Sequence, residues 1–348
     1  MHQIDAGMKT FNRMPAYSFI MKILVLGSRG FGKVHLDSWK KLNVEIALYD
    51  RNEKLLEEAA EAYGATETFS DIPEALSSDA DIVDIILPHN MHREVAISAI
   101  SRKKHVLIEK PVATSVADAE LMIEEAARAG VKFMVAEQYY FDASVRYAVA
   151  AVAEGKIGRV HTIIVRDQRL YSKNGWRAKA NVMGGGSLID GGIHFVDTLL
   201  NFGGDYRSIR PVVYHGSSSI EGEDTSISLF DFKSSAHGLL FYTWSYPHSP
   251  RVPSYEIIGS EGSIVEDITT HPEVDFKYMS GIRYAFGKPV LNGKTADIKI
   301  EDVFDKEIGG FLRAVEEDGE LPMDPRVAKR DLSAVLEIYR TGMQAPSQ

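Results

Sequence analysis

Residues 22–32 read Lys-Ile-Leu-Val-Leu-Gly-Ser-Arg-Gly-Phe-Gly, an apolar run that ends in a glycine-rich turn. The run lacks polar alternation, as in a parallel strand buried on both faces, and a helix is expected directly after the turn. Gly27 and Gly32 occupy the first and third glycine positions of the dinucleotide fingerprint G-x-G-x-x-G, which permit the tight turn and close helix packing. The stretch predicts the start of an α/β domain; dinucleotide binding and a plain strand-to-helix turn remain alternatives for its function.

The middle glycine position departs from this fingerprint. Arg29 stands there, and an additional glycine follows at Gly30. Either Gly30 lets a pyrophosphate approach the backbone, or the Arg29 side chain lies beside the phosphates. The residues predicted to contact a dinucleotide at this turn are Gly27, Ser28, Arg29, Gly30, Phe31 and Gly32.

Composition and charge narrow the classes of protein. The chain has 348 residues, enough for two domains, and its 45% hydrophobic and 25% charged residues are ordinary for a globular protein. The formal net charge is −10 without a clustered basic stretch, which argues against a nucleic-acid partner. Because the chain has no cysteine, disulfides, thiolate metal sites and a cysteine nucleophile are excluded.

Residues 1–20 lack the apolar core of a signal peptide, and no later run reaches the roughly 18 apolar residues that span a bilayer. We therefore expect no membrane partner and a cytoplasmic location. Met21 directly precedes the first strand, so residues 1–20 are interpreted as an N-terminal extension.

Asp50 closes the second predicted strand, residues 44–49. A carboxylate about 20 residues after the glycines is where the fingerprint binds the adenosine ribose. Asp50 would repel a 2′-phosphate, which favours NAD as the cofactor, whereas the neighbouring Arg51 could accommodate that phosphate and would admit NADP. The alternative for Asp50 is an N-cap of the helix predicted over residues 53–63.

The apolar run at residues 81–87 is a further strand, which stops at Pro88. The loop after it lies at the carboxyl end of a parallel strand, the edge at which open α/β sheets bind ligands. Pro88, His89 and His92 are therefore predicted to line the cofactor. The two histidines have no further ligand nearby, so no metal site is predicted.

Residues 105–108 form another buried strand, which leads to Glu109-Lys110-Pro111 at the same edge. The proline restricts Lys110 to an extended backbone, and the strand aims it at the ligand crevice. Glu109 and Lys110 are therefore candidates for the cofactor site. The alternative for Lys110 is a solvated surface lysine.

The predicted fold class is α/β, with two domains. A strand over residues 131–136 completes a six-stranded Rossmann dinucleotide-binding domain at residues 21–137. From residue 160 the predicted strands alternate, which indicates a C-terminal α+β domain over residues 138–348 with a large, mostly antiparallel open sheet. One face of that sheet would expose apolar residues, so we expect a homodimer or homotetramer formed through it. The last helix, about residues 326–342, is a candidate to pack back on the first domain.

Residues 184–197 interrupt the strand pattern with Gly-Gly-Gly-Ser-Leu-Ile-Asp-Gly-Gly-Ile-His-Phe-Val-Asp. Asp190 and His194 would share one face of a helix, and a histidine beside a carboxylate is the usual general acid/base pair near neutral pH. A purely stabilising pair and a two-ligand metal site are the alternatives. Glycines cost a helix about 1 kcal/mol each, which disfavours a purely structural purpose for the segment.

Together these motifs resemble the Gfo/Idh/MocA oxidoreductase family. The glycine turn, Asp50, the Glu-Lys-Pro tripeptide, Trp176-Arg177 and the 184–194 segment occur in the family's order and spacing across nearly the whole chain. The resemblance implies a nicotinamide-dependent enzyme that oxidises a secondary alcohol, or reduces the ketone, of a sugar, cyclitol or sugar derivative. Lys110 would then stabilise the developing alkoxide, His194 would take the hydroxyl proton, and Asp190 would hydrogen-bond the substrate or Lys110.

Residues outside these three carry weaker expectations. Trp176 and Arg177 stand where the family often binds substrate, with core packing as the alternative for Trp176. Tyr139 is a candidate to line the cleft or to lie in the core. Where the family often has an asparagine-arginine pair, this chain has Glu-Gln-Tyr-Tyr at residues 137–140, so substrate contacts there are not transferred.

Two other functions share these motifs. An enzyme of the same fold could retain NAD and cleave a glycosidic bond through a transient oxidation; net consumption of NAD would exclude it. A regulatory protein that senses a nucleotide or sugar could keep the fold without catalysis, since fold does not determine chemistry. The joint presence of Lys110, Asp190 and His194 argues against a sensor, which needs no base.

Overall fold

Two β-sheets, one parallel and one mostly antiparallel, organise the computed structural model, which describes residues 20–272 and 282–342. The N-terminal extension predicted over residues 1–20 lies outside the described residues, apart from Ile20. The two sheets confirm the predicted fold class, a Rossmann-like sheet followed by an α+β unit with an open sheet.

The first unit consists of a six-stranded sheet and five α-helices. The strands are β1 (Met21–Leu26), β2 (Val44–Tyr49), β3 (Glu67–Phe69), β4 (Ile82–Ile85), β5 (His105–Glu109) and β6 (Phe133–Ala136). The helices are α1 (Phe31–Trp39), α2 (Glu53–Tyr63), α3 (Ile72–Leu76), α4 (His92–Ser101) and α5 (Val116–Ala129). The strands are parallel in the order β3-β2-β1-β4-β5-β6. Because the order reverses between β1 and β4, a ligand crevice opens at their carboxyl ends.

The second unit begins with an α-helix and contains an eight-stranded sheet and four further α-helices among the described residues. Its strands are β7 (Val160–Gln168), β8 (Tyr206–Tyr214), β9 (Thr225–Phe232), β10 (His237–Thr243), β11 (Tyr255–Gly259), β12 (Ser263–Glu266), β13 (Pro289–Leu291) and β14 (Lys294–Thr295). The helices are α6 (Ala143–Ala153), α7 (Ala180–Met183), α8 (Ile193–Gly203), α9 (Val303–Glu316) and α10 (Pro325–Gly342). The order is β14-β13-β12-β11-β7-β10-β9-β8.

The central strands β7 and β10 pair in parallel, whereas the other neighbouring strands pair antiparallel. The carboxyl ends of β7 and β10 therefore meet at one edge. Helix α8 packs on one face of these strands. The opposite face is open and exposes apolar side chains, among them Val212, Ile227 and Leu229.

The residue patterns predict a helix over residues 34–42 and strands over residues 160–166 and 211–216, and the observed bounds differ from these for local reasons. Helix α1 begins at Phe31 rather than at residue 34, because Gly30 at φ 58° ends the turn and serves as N-cap. Strand β8 begins at Tyr206 rather than at residue 211 and contains Pro211. Since β8 is an edge strand, the missing N–H of Pro211 is tolerated.

The last helix, α10, contacts elements of both sheets: α5 and β6 in the first unit, and α8 and β8 in the second. Its Tyr339 hydroxyl donates to Glu223 and accepts from the backbone N–H groups of Gly186 and Ile189. Helix α10 thereby holds the glycine-rich segment against the rest of the molecule.

Candidate active site

A cavity of about 360 Å³ lies between the two units. The carboxyl ends of β5 and β6 form one side of it, and those of β7 and β10 form the other. Its walls include Lys110, Tyr139, Arg177, Asp190, His194 and Trp244. The cavity therefore collects polar side chains from both sheets, as an enzyme cleft does.

Lys110 follows β5 and is buried. Its ammonium donates to the backbone carbonyl of Asp190 and lies 3.9 Å from Oδ1 of the same residue. The bond from Lys110 to Pro111 is cis. Because its ammonium is enclosed in the cleft, Lys110 is not the solvated surface lysine that the sequence left as an alternative.

The Asp190 carboxylate lies among three nitrogen groups. Besides Lys110, the Arg177 Nε lies 3.3 Å from Asp190 Oδ1 and the His89 Nε2 lies 3.6 Å from it. Burial alone would raise the pKa of the Asp190 carboxyl, but the charges of Lys110 and Arg177 outweigh burial and lower it. Asp190 is therefore ionised.

His194 is held by a ring and a carboxyl. Its imidazole stacks on Tyr139, with centroids 4.3 Å apart, and its Nδ1 is hydrogen-bonded to Oε1 of Glu137. Burial, together with the Lys110 charge, lowers the pKa of His194 well below its usual value, so the ring is neutral. Burial raises the pKa of Glu137 to about 8. With Nδ1 occupied, Nε2 is the ring nitrogen that remains for a substrate.

The glycine-rich segment places Asp190 in a π-helical turn, Leu188–Gly192, which runs directly into α8. A Cβ at Gly186 would lie 2.0 Å from the Glu223 carbonyl oxygen, and one at Gly191 would lie 2.1 Å from the Tyr242 hydroxyl. These glycines thus permit close packing against the chain itself. The expectation that their number disfavours a structural purpose is wrong, because the neighbouring residues leave no room for a side chain.

The glycine turn after β1 fits a dinucleotide. A Cβ at Gly32 would lie 1.9 Å from the Gly27 carbonyl oxygen, so α1 can begin against the turn only with glycine there. Gly30 faces open space, and α1 has neither a capping side chain nor an acidic residue in its first turn. The first N–H groups of α1 can therefore receive a pyrophosphate over Gly30, while the Arg29 side chain is exposed. Phe31 lines the cavity beside this turn.

Asp50 lies at the end of β2 next to this turn. Its carboxylate accepts from the Ser28 hydroxyl at 2.7 Å and from the backbone N–H of Asn52 at 2.9 Å. The N-cap of α2 is Asn52, whose side chain accepts from the Leu55 N–H, so the N-cap alternative for Asp50 is wrong. Arg51 is exposed beside it.

The loops after β4 and β5 bring His89 to the site but not His92 or Glu109. His89 lies against Asp190, and Pro88 before it is half-buried. Both ring nitrogens of His92 contact backbone carbonyls, those of Pro111 and Leu87. The Glu109 carboxylate turns into the first unit, 3.2 Å from His35 Nε2. His92 and Glu109 are already engaged by the protein, so the structure does not place them where they were predicted to line the cofactor.

Arg177 lines the cavity, whereas Trp176 lies behind it. The Arg177 guanidinium lines the cavity and lies 4.4 Å from the centroid of the Trp176 ring. The half-buried Trp176 ring and the His89 ring are in T-shaped contact, with centroids 4.9 Å apart. Trp176 therefore supports Arg177 and His89.

Several residues at the cavity were not predicted from the sequence. Gln138 and Asp167 each have a buried side-chain oxygen without a hydrogen-bond partner among the described residues, and both line the cavity. Arg169 pairs with Asp167 at 2.7 Å, and Glu137 holds His194. The available signal was position: Glu137 and Gln138 follow β6, and Asp167 lies near the end of β7.

Within residues 20–272 and 282–342, no group of three or more histidine, aspartate and glutamate side chains is placed to hold a metal ion. No helix in those ranges is long and apolar enough to cross a lipid bilayer.

Comparison with protein families gives two matches, one over the first sheet and one over most of the second. Residues 21–137 match the NAD-binding Rossmann-fold domain of the Gfo/Idh/MocA oxidoreductases, and residues 145–265 match the C-terminal domain of that family.

Curated relatives with similar sequences include two inositol dehydrogenases. The chain is 30% identical to scyllo-inositol 2-dehydrogenase (NADP(+)) of Bacillus subtilis over 244 residues, which is 68% of this chain and 72% of the relative. It is 28% identical to myo-inositol 2-dehydrogenase of Thermotoga maritima over 261 residues, 71% of this chain and 75% of the relative.

Solved structures with the same fold include an oxidoreductase from Thermotoga maritima, with a TM-score of 0.81 at 22% identity. Levoglucosan dehydrogenase in complex with NADH and levoglucosan superimposes with a TM-score of 0.77 at 21% identity. In both comparisons 93% of this chain and 97% of the other chain are covered.

Proposed function

Because the chain belongs to the Gfo/Idh/MocA family of NAD-binding oxidoreductases, we propose that Lys110, Asp190 and His194 are its catalytic residues. The reaction is hydride transfer between NAD(P) and a secondary alcohol or ketone of a sugar or cyclitol, the class on which the related inositol dehydrogenases act by name. The observation that carries the assignment is the meeting of all three buried side chains at one cavity.

Bound NAD supplies the hydride acceptor, and the protein must handle the proton and the charge on the oxygen. His194 Nε2 takes the hydroxyl proton as the hydride leaves the same carbon, and it returns that proton to the oxygen in the reverse reaction. The Lys110 ammonium donates to the oxygen as negative charge develops there. Asp190 orients Lys110 through its carbonyl oxygen and keeps the ammonium in place with its carboxylate.

The cofactor site we propose runs from the glycine turn to Asp50. Residues 27–32 receive the pyrophosphate, with Gly30 as the point of close backbone approach. Asp50, oriented by Ser28, accepts from the adenosine ribose hydroxyls and favours NAD over NADP.

We also propose that the chain forms a homodimer or homotetramer through the open face of the second sheet. Cross-strand neighbours on that face are apolar: Val212 pairs with Ile227, which pairs with Phe241, and Leu229 pairs with Leu239. Contiguous exposed apolar side chains of this kind are typical of a subunit interface. We propose a cytoplasmic location for the enzyme, where NAD is available to it.

A substrate screen tests the proposed function. Purified protein is incubated with NAD or NADP and a panel of sugars, polyols and nucleotide sugars, and the absorbance of the reduced cofactor is followed. Steady-state formation of NADH from at least one polyhydroxylated alcohol is the expected result. Absence of net reduction of either cofactor across the panel, with product formed from a glycoside, would instead favour the NAD-retaining enzyme.

A further inference from the structure

The cavity carries more positive than negative side chains. Its cationic residues are Lys110, Arg169, Lys173 and Arg177, and its carboxylates are Asp167 and Asp190. The neutral His194 adds no charge, and the oxidised nicotinamide of NAD is itself positive. The excess of positive charge is therefore a property of the substrate site in its reactive state.

Three of the cations already face carboxylates. Arg177 pairs with Asp190 at 3.3 Å, where Lys110 lies 3.9 Å away. Arg169 contacts Asp167 Oδ1 through both Nε, at 3.0 Å, and a terminal nitrogen, at 2.7 Å. These pairs leave Lys173 as the cavity cation without an ion pair among the described residues.

Lys173 lies against aromatic rings. Its Nζ is 4.4 Å from the centroid of Tyr171 and 5.9 Å from that of Trp244, and the two rings meet edge to face. Ring faces hold an ammonium in position but leave its N–H groups free to donate to an anion. The half-buried Lys173 is thus held at the wall of the cavity with its hydrogen-bonding capacity available.

The same wall offers contacts for a sugar ring. Asp167 Oδ2 is buried and accepts from no described residue, so a substrate hydroxyl can donate to it. The Trp244 ring is almost fully buried beside Lys173, and its N–H donates to the Tyr242 hydroxyl at 2.7 Å. A neutral sugar would satisfy Asp167 but would leave Lys173 without a hydrogen-bonded anionic partner, since Asp190 acts on Lys173 only from beyond ion-pair distance.

Resting on the proposed function, we infer that the substrate is an acidic sugar whose carboxylate or phosphate binds Lys173 beside Trp244, while one of its hydroxyls donates to Asp167. A charge-assisted hydrogen bond to the anion makes this contact stronger than one to a neutral hydroxyl. The acidic group also compensates the positive excess that NAD increases.

Calorimetric titration of the enzyme loaded with NADH tests this inference. The ligands are the neutral, uronate and 6-phosphate forms of glucose, galactose and mannose, each at low and at high ionic strength. We expect at least one acidic form to bind about tenfold or more tightly than its neutral partner, with the preference falling at high salt. The uronate and 6-phosphate arms separate a carboxylate from a phosphate ligand.

Two variants locate the effect. Lys173→Met should reduce the acidic-to-neutral affinity ratio to near one. Lys233→Met removes the same charge at an exposed turn, where Lys233 pairs with Asp205, and should keep the ratio. Equal binding of neutral and acidic forms, no binding of any acidic form, or an unchanged ratio in Lys173→Met would overturn the inference.

Hydride transfer from the same sugars is a separate readout. Turnover of neutral sugars without an acidic preference would overturn this inference and leave the proposed function standing. If an acidic sugar bound tightly but the protein reduced neither cofactor with any sugar, the proposed function would be overturned and the acidic-sugar site would stand.

Discussion

The Glu137 carboxyl, directly after β6, is hydrogen-bonded to Nδ1 of His194 in the first turn of α8. Both side chains are buried, and the contact joins the two units of the molecule at the cavity. From this contact we expect the pair to act as one proton-binding group. When Glu137 is protonated, its carboxyl donates to Nδ1 and the ring proton of His194 is on Nε2. When Glu137 is ionised, the His194 Nδ1–H donates to it and Nε2 is free to accept.

The first prediction concerns pH. Because burial raises the pKa of Glu137 to about 8, the pair gains its extra proton as the pH falls through that value. Alcohol oxidation, which needs a vacant Nε2, should therefore rise with pH through about 8, and ketone reduction, which needs a proton on Nε2, should fall. Measuring kcat/KM in both directions across about pH 6 to 10 checks this. Parallel profiles in the two directions would be incompatible with the pair.

The variant Glu137→Gln distinguishes the ionisation of Glu137 from its hydrogen bond to His194. Glutamine can still hydrogen-bond Nδ1 but cannot be ionised, so the rise of oxidation near pH 8 should disappear and kcat should fall about 10- to 100-fold. Thermal melting monitors the fold. If the variant lost activity equally at every pH and kept the wild-type profile, Glu137 would have only a structural role.

Cofactor preference should change in Asp50→Ser. The variant loses the acceptor for the ribose hydroxyls and the repulsion of a 2′-phosphate, while Arg51 remains. We expect the ratio of kcat/KM for NADP to that for NAD to rise about tenfold or more. Adding Arg51→Ala to Asp50→Ser should reverse most of the gain. An unchanged ratio would remove Asp50 from the cofactor site.

The oligomer should depend on the open sheet face. Leu229→Glu places a charge among exposed apolar neighbours, so burying that face against another subunit becomes costly. Light scattering after size exclusion should show the wild type at a multiple of 38.6 kDa and the variant at the monomer mass. Ile20→Glu, at an exposed apolar residue before β1, is the control and should leave the mass unchanged. A monomeric wild type would refute the interface.

How much the sequence predicts depends on how local the cause is. The glycine turn, Asp50 and Lys110 follow from strand ends and glycine spacing, which neighbouring residues dictate. Glu137 lies 57 residues from His194, so only the docking of the second unit on the first brings them together.

The sequence patterns also did not identify Asp167 and Arg169 as cavity residues, because their position depends on strand pairing. Residue alternation ends the predicted strand at residue 166, but β7 continues to Gln168 because Asp167 and Gln168 pair with Tyr242 and Thr243 of β10. That pairing aims the end of β7 at the cavity. His92 shows the opposite case, a residue at the predicted edge whose ring is taken up by backbone carbonyls.

The central claim is that Lys110 and His194 act on one substrate hydroxyl, and the most direct test is steady-state NADH formation by Lys110→Met and His194→Ala on a substrate that the wild type oxidises. Each variant should lose about 10²- to 10⁴-fold in kcat while still binding NADH. Lys233→Met and His161→Ala, which change exposed residues outside the cavity, should retain wild-type kcat. Wild-type turnover in either cavity variant would contradict the account.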